Sequence, residues 1–357
     1  MGFLDNVISG IEDTSILDDG KNSSEFTGTI DTGSYILNAA ITGSLYGGVP
    51  NSKITTFAGE SATGKTFFVL GVVQKFLTDN PDGGVIYFDT EAAVTKDMMK
   101  SRGIDTRRVV VSEPESIEGF RTSAGKMLDN YIGHDRLSRE KKEKPPMMMV
   151  LDSIGMLSSV KELDDVASGS DKRDMTKAQL LRGTFRVLSL KLAKANVPLL
   201  VTNHTYEVVG SYIPMKEMSG GAGLKYASST ICYLGKKKDR EDKDVVGNII
   251  KVEMHKSRFT KENKKIEVKL SFDKGLDRYY GLLDLAEKHG IMKKVSTRYE
   301  LPDGSKVFGK QINENPTKYF TDDVMSQLEV AAGKEFLYGR EGDIIENRDT
   351  NIEESSE

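Results

Sequence analysis

Hydrophobic and polar positions divide this chain into stretches of different character. Residues 1–30 are polar, acidic and Gly- and Ser-containing, with only short apolar pieces, and read as an arm with room for one short helix. From Ile36 onward short apolar runs recur at 54–58, 85–89, 108–111, 147–152 and 198–202. Helical spacing fills the intervals at 65–77, 95–101, 116–132 and 175–195. Buried strands alternating with helices predict right-handed crossovers and a mostly parallel sheet covered on both faces. Three later runs, 229–234, 248–254 and 266–272, have no long helix between them and predict antiparallel pairing at one end of the sheet. A helix-like stretch at 282–289 then opens a small mixed region reaching Tyr338. Residues 341–357 carry seven carboxylates against one arginine and predict a disordered acidic tail.

Composition narrows the function classes. The net charge of −4 gives no global basic field, so any nucleic-acid binding has to come from local clusters. The single cysteine, Cys232, excludes an internal disulfide framework and a cysteine-based zinc site, and fits a reducing compartment. The N-terminus lacks a basic signal region, Asn6 stands where a myristoylation signal needs Ser or Thr, and no apolar run approaches the ~18 residues of a membrane span. The expectation is a cytoplasmic protein without a membrane partner.

The chemistry begins at Gly59-Glu60-Ser61-Ala62-Thr63-Gly64-Lys65-Thr66, which fits the phosphate-cradling pattern GxxxxGK[ST] between an apolar run and a helical one. A triphosphate is best held by backbone N–H groups at a helix N-terminus; Gly59 and Gly64 let the backbone wrap close. Lys65 is placed to reach the β- and γ-phosphates and Thr66 to join a magnesium ion. Asp152 ends the apolar run 147–152 and is a candidate to hold that metal through water; a strand-end aspartate also serves as a helix N-cap. Glu91 follows the run 85–89 and is the candidate general base, its plainer role being an exposed carboxylate in the next helix's first turn. His204 lies just past the run 198–202, where ligands collect in such sheets; it is either a γ-phosphate sensor or an ordinary strand-end histidine.

Further segments, in order and spacing, carry a resemblance. They are Asp31-Thr32-Gly33-Ser34, Gly47-Gly48-Val49-Pro50, Tyr87-Phe88-Asp89-Thr90-Glu91, Asp152-Ser153, Asp174 to Ala178, Thr202 to Glu207, Gly220 to Ser228, Lys256-Ser257-Arg258 and Tyr280 to Ala286. With the phosphate loop they make the chain resemble the RecA-type recombinases, and among them the phage UvsX branch, from about Asp31 to Phe336. The resemblance implies a RecA-type α/β P-loop ATPase core, a mostly parallel sheet flanked by helices, at 36–275. It also implies an N-terminal oligomerisation arm at 1–35, a small C-terminal α/β domain at 276–340 and the tail at 341–357.

The implied activity is ATP- and Mg²⁺-dependent strand exchange by filaments on single-stranded DNA that test a homologous duplex. A single-strand-binding protein and a recombination mediator are the implied partners, and the cytoplasm of a bacterial host the implied setting if the chain is phage-encoded. Position by position, Glu91 matches the family's catalytic glutamate and His204 the residue coupling γ-phosphate to a DNA loop. Lys256 and Arg258, otherwise a solvated charge run, match cations that reach a neighbour's nucleotide.

Polar gaps at 158–174 and 205–223, otherwise mobile surface loops, match the family's DNA loops, with Lys177, Arg182, Tyr206, Lys216, Gly220, Gly221, Gly223 and Lys225 as contact candidates; cations tracking phosphates and flat groups among bases suit single strands. Met98 departs from the family, which commonly stacks an aromatic residue on adenine there. The charged segment 235–244 reads as a turn between strands. Two other readings share these motifs: a RecA-fold helicase or ring motor, and an ATP-gated scaffold that exchanges no strands.

Overall fold

The computed structural model describes residues 27–137, 144–169, 176–207, 216–241, 244–271 and 275–339, with Phe3 and Val7, and side chains only to 133 in the first segment. The expected arm lies mostly, and the acidic tail wholly, outside the described residues. A short ribbon of β1 (Thr29–Ile30) and β2 (Val49–Pro50) precedes the main sheet, with helix α1 (Tyr35–Thr42) between them.

The main sheet uses β3 (Ile54–Gly59), β4 (Gly84–Asp89), β5 (Val109–Ser112), β6 (Met147–Asp152) and β7 (Leu199–Glu207). Short β8 (Lys216–Met218), the long β9 (Thr230–Glu241) and β10 (Asp244–Ser257), β11 (Lys265–Ser271) and β12 (Gly275–Leu276) complete it. Its order is β12-β11-β10-β9-β3-β7-β6-β4-β5, with β8 laid against the far end of β7. From β9 to β5 the strands run parallel; β10, β11 and β12 alternate antiparallel.

Continuous apolar runs form the central strands β3, β4, β6 and β7, whose faces are covered on both sides. Alternate residues of β6 serve two cores: Met148 and Val150 join the cluster of helix α2 (Lys65–Asp79), while Met149 and Leu151 join that of α4 (Ile117–Leu137) and α6 (Lys177–Ala195). Helix α4 buries Ile117, Phe120, Ala124 and Leu128, and α6 buries Leu181, Phe185, Leu188 and Leu192. Both stripes keep helical spacing. Phe120 meets Phe88 edge-on at 5.0 Å and Phe185 at 6.5 Å, so the two helices lock to each other and to β4.

The C-terminal region holds α8 (Leu282–Lys288), a three-stranded sheet of β13 (Lys293–Val295), β14 (Arg298–Glu300) and β15 (Lys306–Phe308), then α9 (Gly309–Glu314), α10 (Pro316–Tyr319) and α11 (Asp322–Phe336). Its Leu282, Leu328 and Phe336 pack in the same cluster as Leu37 and Phe68 of the core.

Three expectations need correction. The run 229–234 pairs antiparallel only with β10; its other neighbour, β3, is parallel, because β9 follows a helix and enters from the same side as β3. The charged segment 235–244 is mostly strand: β9 continues through Lys236, Lys237 and Lys238 to Glu241 and pairs with β10 from Asp244 onward, residues 242–243 lying outside the described residues; the ladder asks nothing of side-chain polarity. The polar gap 158–174 contains helix α5 (Val160–Ala167), started by Ser159, whose Oγ accepts from the Glu162 backbone N–H.

Candidate functional site

Strands β3, β7, β6 and β4 are neighbours and parallel, so their carboxyl ends share one edge of the sheet. There β3 gives way to the loop 60–64, and α2 begins at Lys65 with Gly64 in the left-handed region at φ 91°. A Cβ on Gly59 would lie 2.7 Å from both the Leu234 carbonyl oxygen and Thr63 Oγ1, so the loop tolerates no side chain there. Thr63 Oγ1 donates to the Glu60 carbonyl at 2.9 Å and closes the loop on itself. The first N–H groups of α2 have no intrahelical acceptor, which makes this end a seat for an anion.

Lys65 is buried, and its ammonium donates to the carbonyls of Gly59 (3.0 Å) and Glu60 (2.9 Å). Burial lowers its pKa below the ordinary lysine value, against the opposing charges of Glu91 and Asp152. Thr66 is half-buried beside it, whereas Glu60, Ser61 and Ala62 are exposed. Two cations grip the exposed part: Lys216 Nζ lies 2.6 Å from Glu60 Oε1, and Lys236 Nζ donates to the Ala62 carbonyl at 2.9 Å.

Asp152 is buried at the end of β6; Tyr87 Oη donates to its Oδ2 at 2.7 Å and Thr202 Oγ1 donates to its Oδ1. Neighbouring strands thus aim the carboxylate. Asp152 does not cap a helix, and the Asp152–Ser153 peptide is cis. Among the described residues no three His, Cys, Asp or Glu side chains cluster as a metal cage. That donor set fits magnesium, which keeps water and takes one or two protein groups beside phosphate oxygens. Thr66 and Asp152 would hold it.

Buried Asp89 shapes the turn after β4, accepting from the backbone N–H groups of Glu91 (3.1 Å), Ala93 (3.4 Å) and Val94 (3.0 Å). The turn leaves Glu91 Oε1 accepting from Ser153 Oγ at 2.6 Å and facing His204 Nε2 at 3.1 Å. Partial burial pushes the Glu91 pKa up, but the Ser153 and His204 hydrogen bonds, with the charge of Lys65, hold it below the usual carboxylate value. An ionised carboxylate facing Nε2 requires that nitrogen to carry the proton. The β7 backbone ties His204 onward. Asn203, fully buried, accepts from the His204 N–H (2.8 Å) and from Ser219 Oγ, and its amide donates to the Ser219 carbonyl at 2.9 Å.

Beyond Ser219 stand Gly220 and Gly221, at φ 84° and 70°, followed by helix α7 (Ala222–Ala227). A Cβ on Gly223 would come within 2.7 Å of the Arg182 backbone, so this glycine lets α7 lie directly on α6. Tyr206, Lys225 and Arg182 are exposed, Lys216 sits on β8, and Lys177 pairs with Glu162 of α5 at 3.1 Å. Met98, on α3 (Lys96–Lys100), has its carbonyl held by Arg102 Nη1 at 2.9 Å, and the Arg102 guanidinium lies 4.7 Å from the Phe67 ring centre.

Lys256 and Arg258 do not join this constellation. Ser257 pairs with Thr230, and Thr230 with Thr55, so both cations stand near the start of β3 while the phosphate loop follows its end. Lys256 Nζ donates to the carbonyls of Lys225 (2.7 Å), Tyr226 (3.2 Å) and Ser228 (2.7 Å); Arg258 Nη2 donates to Tyr226 at 3.3 Å. Burial, then the charge of Arg258, lowers the Lys256 pKa to about 8.

The profile of the RecA N-terminal domain matches residues 4–277. The chain belongs to the RecA family. Among its relatives, the recombination and repair protein of Enterobacteria phage T4 is 31% identical over 259 residues, 72% of this chain and 63% of that protein. The chain therefore spans less than two thirds of the phage protein's length. Protein RecA of Cereibacter sphaeroides is 26% identical over 327 residues, 86% of this chain and 88% of that protein. Protein RecA of Paenarthrobacter aurescens is 26% identical over 295 residues, 82% and 78% of the two chains.

In this RecA-family chain the sequence pointed to Lys65, Asp152, Glu91 and His204, which share one edge. It gave no role to Tyr87, Asp89, Ser153, Thr202, Asn203 or Ser219, which aim them. All but Ser219 lie in the segments that carry the resemblance, at or near the carboxyl ends of apolar strands.

Proposed function

We propose that the chain is an ATP-dependent DNA strand-exchange recombinase that forms filaments on single-stranded DNA in homologous recombination, recombination-dependent replication and repair. The observation carrying this reading is the Glu91–His204 contact, made by a strand whose next link, Asn203 to Ser219, leads into the candidate DNA loop. A hydrolytic carboxylate and a DNA-facing segment thus share one hydrogen-bonded path, open to solvent at Glu91 and part-buried where Asn203 meets Ser219.

In the proposed reaction the α2 N-terminus and Lys65 orient the triphosphate. Glu91 takes a proton from water as its oxygen forms a bond to the γ-phosphorus, and the bond from that phosphorus to the β-bridging oxygen breaks, releasing ADP and phosphate. Magnesium at Thr66 and Asp152 would supply charge neutralisation on the phosphates. His204 senses the γ-phosphate and passes its presence along β7. Lys256 and Arg258, too far along the sheet to serve their own phosphate loop, complete the nucleotide site of the adjacent protomer. The segments 158–174 and 205–223 line the DNA, with Lys177, Arg182, Tyr206, Lys216 and Lys225 tracking phosphates or bases. A single-strand-binding protein and a mediator act beside it in the cytoplasm of a bacterial host.

Electron microscopy with ATP, Mg²⁺ and single-stranded DNA, paired with a strand-exchange assay, tests this. Filaments and joint molecules are expected. Closed rings would favour a motor, and absence of both DNA-stimulated ATP turnover and joint molecules would favour a scaffold.

A further inference from the structure

The contact between the phosphate loop and β8 concerns neither catalysis nor His204. Glu60 follows Gly59 in the loop, and its exposed carboxylate receives Lys216 Nζ at 2.6 Å. Lys216 has little freedom at its base. Its strand pairs with β7 through Glu207↔Lys216, Tyr206↔Glu217 and Thr205↔Met218; Met218 is buried with Ala58 and Ile231; and Ser219 is fastened to Asn203. The backbone is thus fixed by β7, and only the long side chain chooses its partner. The charge of Lys236, itself anchored on the Ala62 carbonyl, also acts on Glu60. Glu60 therefore keeps one cation nearby when the other leaves.

From this geometry we infer that Glu60 competes with DNA phosphate for Lys216, and that nucleotide in the phosphate loop weakens its hold. The inference rests on the DNA-loop reading above. A phosphate diester and the Glu60 carboxylate are alternative anions for one ammonium, so DNA bound at Lys216 must first break the pair. A triphosphate brings net negative charge into the loop that carries Glu60, and like charges there disfavour the carboxylate's position beside it. Nucleotide loosens the pair and frees Lys216; by reciprocity DNA at Lys216 favours nucleotide. This gives the phosphate loop a second route to the DNA-facing segment, separate from Glu91 and His204.

The test measures binding of a labelled oligothymidine to the full chain, without nucleotide and with a non-hydrolysable ATP analogue, at fixed low salt. Glu60→Gln should bind about two- to fivefold tighter than wild type without nucleotide, the range of an exposed ion pair, and its gain on adding nucleotide should shrink to match. Lys216→Gln should weaken binding and reduce the salt slope by about one. In that background Glu60→Gln should add nothing. Nucleotide-free binding by Glu60→Gln equal to or weaker than wild type overturns the inference, as do fully additive effects of the two substitutions. A wild-type chain that binds no single-stranded DNA sinks the function proposed above as well. Normal nucleotide-dependent binding with an inert Glu60→Gln sinks only the competition.

Discussion

The two ends of the parallel sheet handle charge in opposite ways. At the carboxyl end, Lys65, Asp89 and Asp152 are buried, and each polar atom is aimed by a partner from another strand or turn. At the amino end, Lys256 and Arg258 are spread over carbonyls at the end of α7, and neither forms an ion pair with a carboxylate among the described residues. A buried charge network holds its geometry before substrate arrives, whereas cations resting on backbone carbonyls have charge left for a partner. That contrast supports the proposed division of the nucleotide site between two protomers: the positioning half rigid, the neutralising half able to reach across.

If the carboxyl end carries the chemistry, its variants should show the largest losses. Lys65→Ala should lower ATP turnover by at least ~10²-fold, the scale of losing a principal charge stabiliser. Glu91→Gln should lower it by ~10²–10⁴-fold while nucleotide binding survives, because only the proton acceptor is removed. Turnover and nucleotide titration of each variant check this. Near-wild-type turnover in Glu91→Gln would move the base elsewhere.

The amino end should show smaller, pH-dependent effects. With a pKa of about 8 instead of the ordinary 10.5, Lys256 loses its charge as pH rises past 8. DNA-stimulated turnover should therefore decline above pH 8, and Lys256→Arg, whose charge persists, should shift that decline upward. Stability should respond with the opposite sign. Between about 8 and 10.5 the unfolded chain binds more protons at this residue than the folded one, so folding becomes more favourable as pH rises. A pH–rate profile and denaturant titrations at pH 7.5 and 9.5 separate the two.

The legible part of the molecule was the part whose signal is local. A run such as Met147–Asp152 announces a doubly covered strand by itself, and GxxxxGK[ST] announces its own helix N-terminus. The contacts that finish the site join distant residues, 65 positions apart for Tyr87 with Asp152 and 113 for His204 with Glu91, and no spacing rule reaches them. The pairing of β9 with β10 was legible, but its charged extension from Gly235 to Glu241 was missed because backbone pairing, not apolar alternation, holds it. Helix α5 was missed because its few apolar residues, Val160, Leu163 and Val166, face outward and left the segment reading as polar loop. Which end of the sheet receives Lys256 and Arg258 is a matter of topology, which their sequence neighbours do not encode.

The proposed division of the nucleotide site between protomers is tested most directly by mixing two inactive variants. Lys65→Ala lacks the phosphate grip and keeps the cations; the double variant Lys256→Ala/Arg258→Ala has the reverse. In a random 1:1 filament on single-stranded DNA, on the order of a quarter of the head-to-tail interfaces pair an intact phosphate loop with intact cations. The account predicts that the mixture recovers ATP turnover that neither variant shows alone. A mixture no more active than its components, with filaments formed, would contradict it.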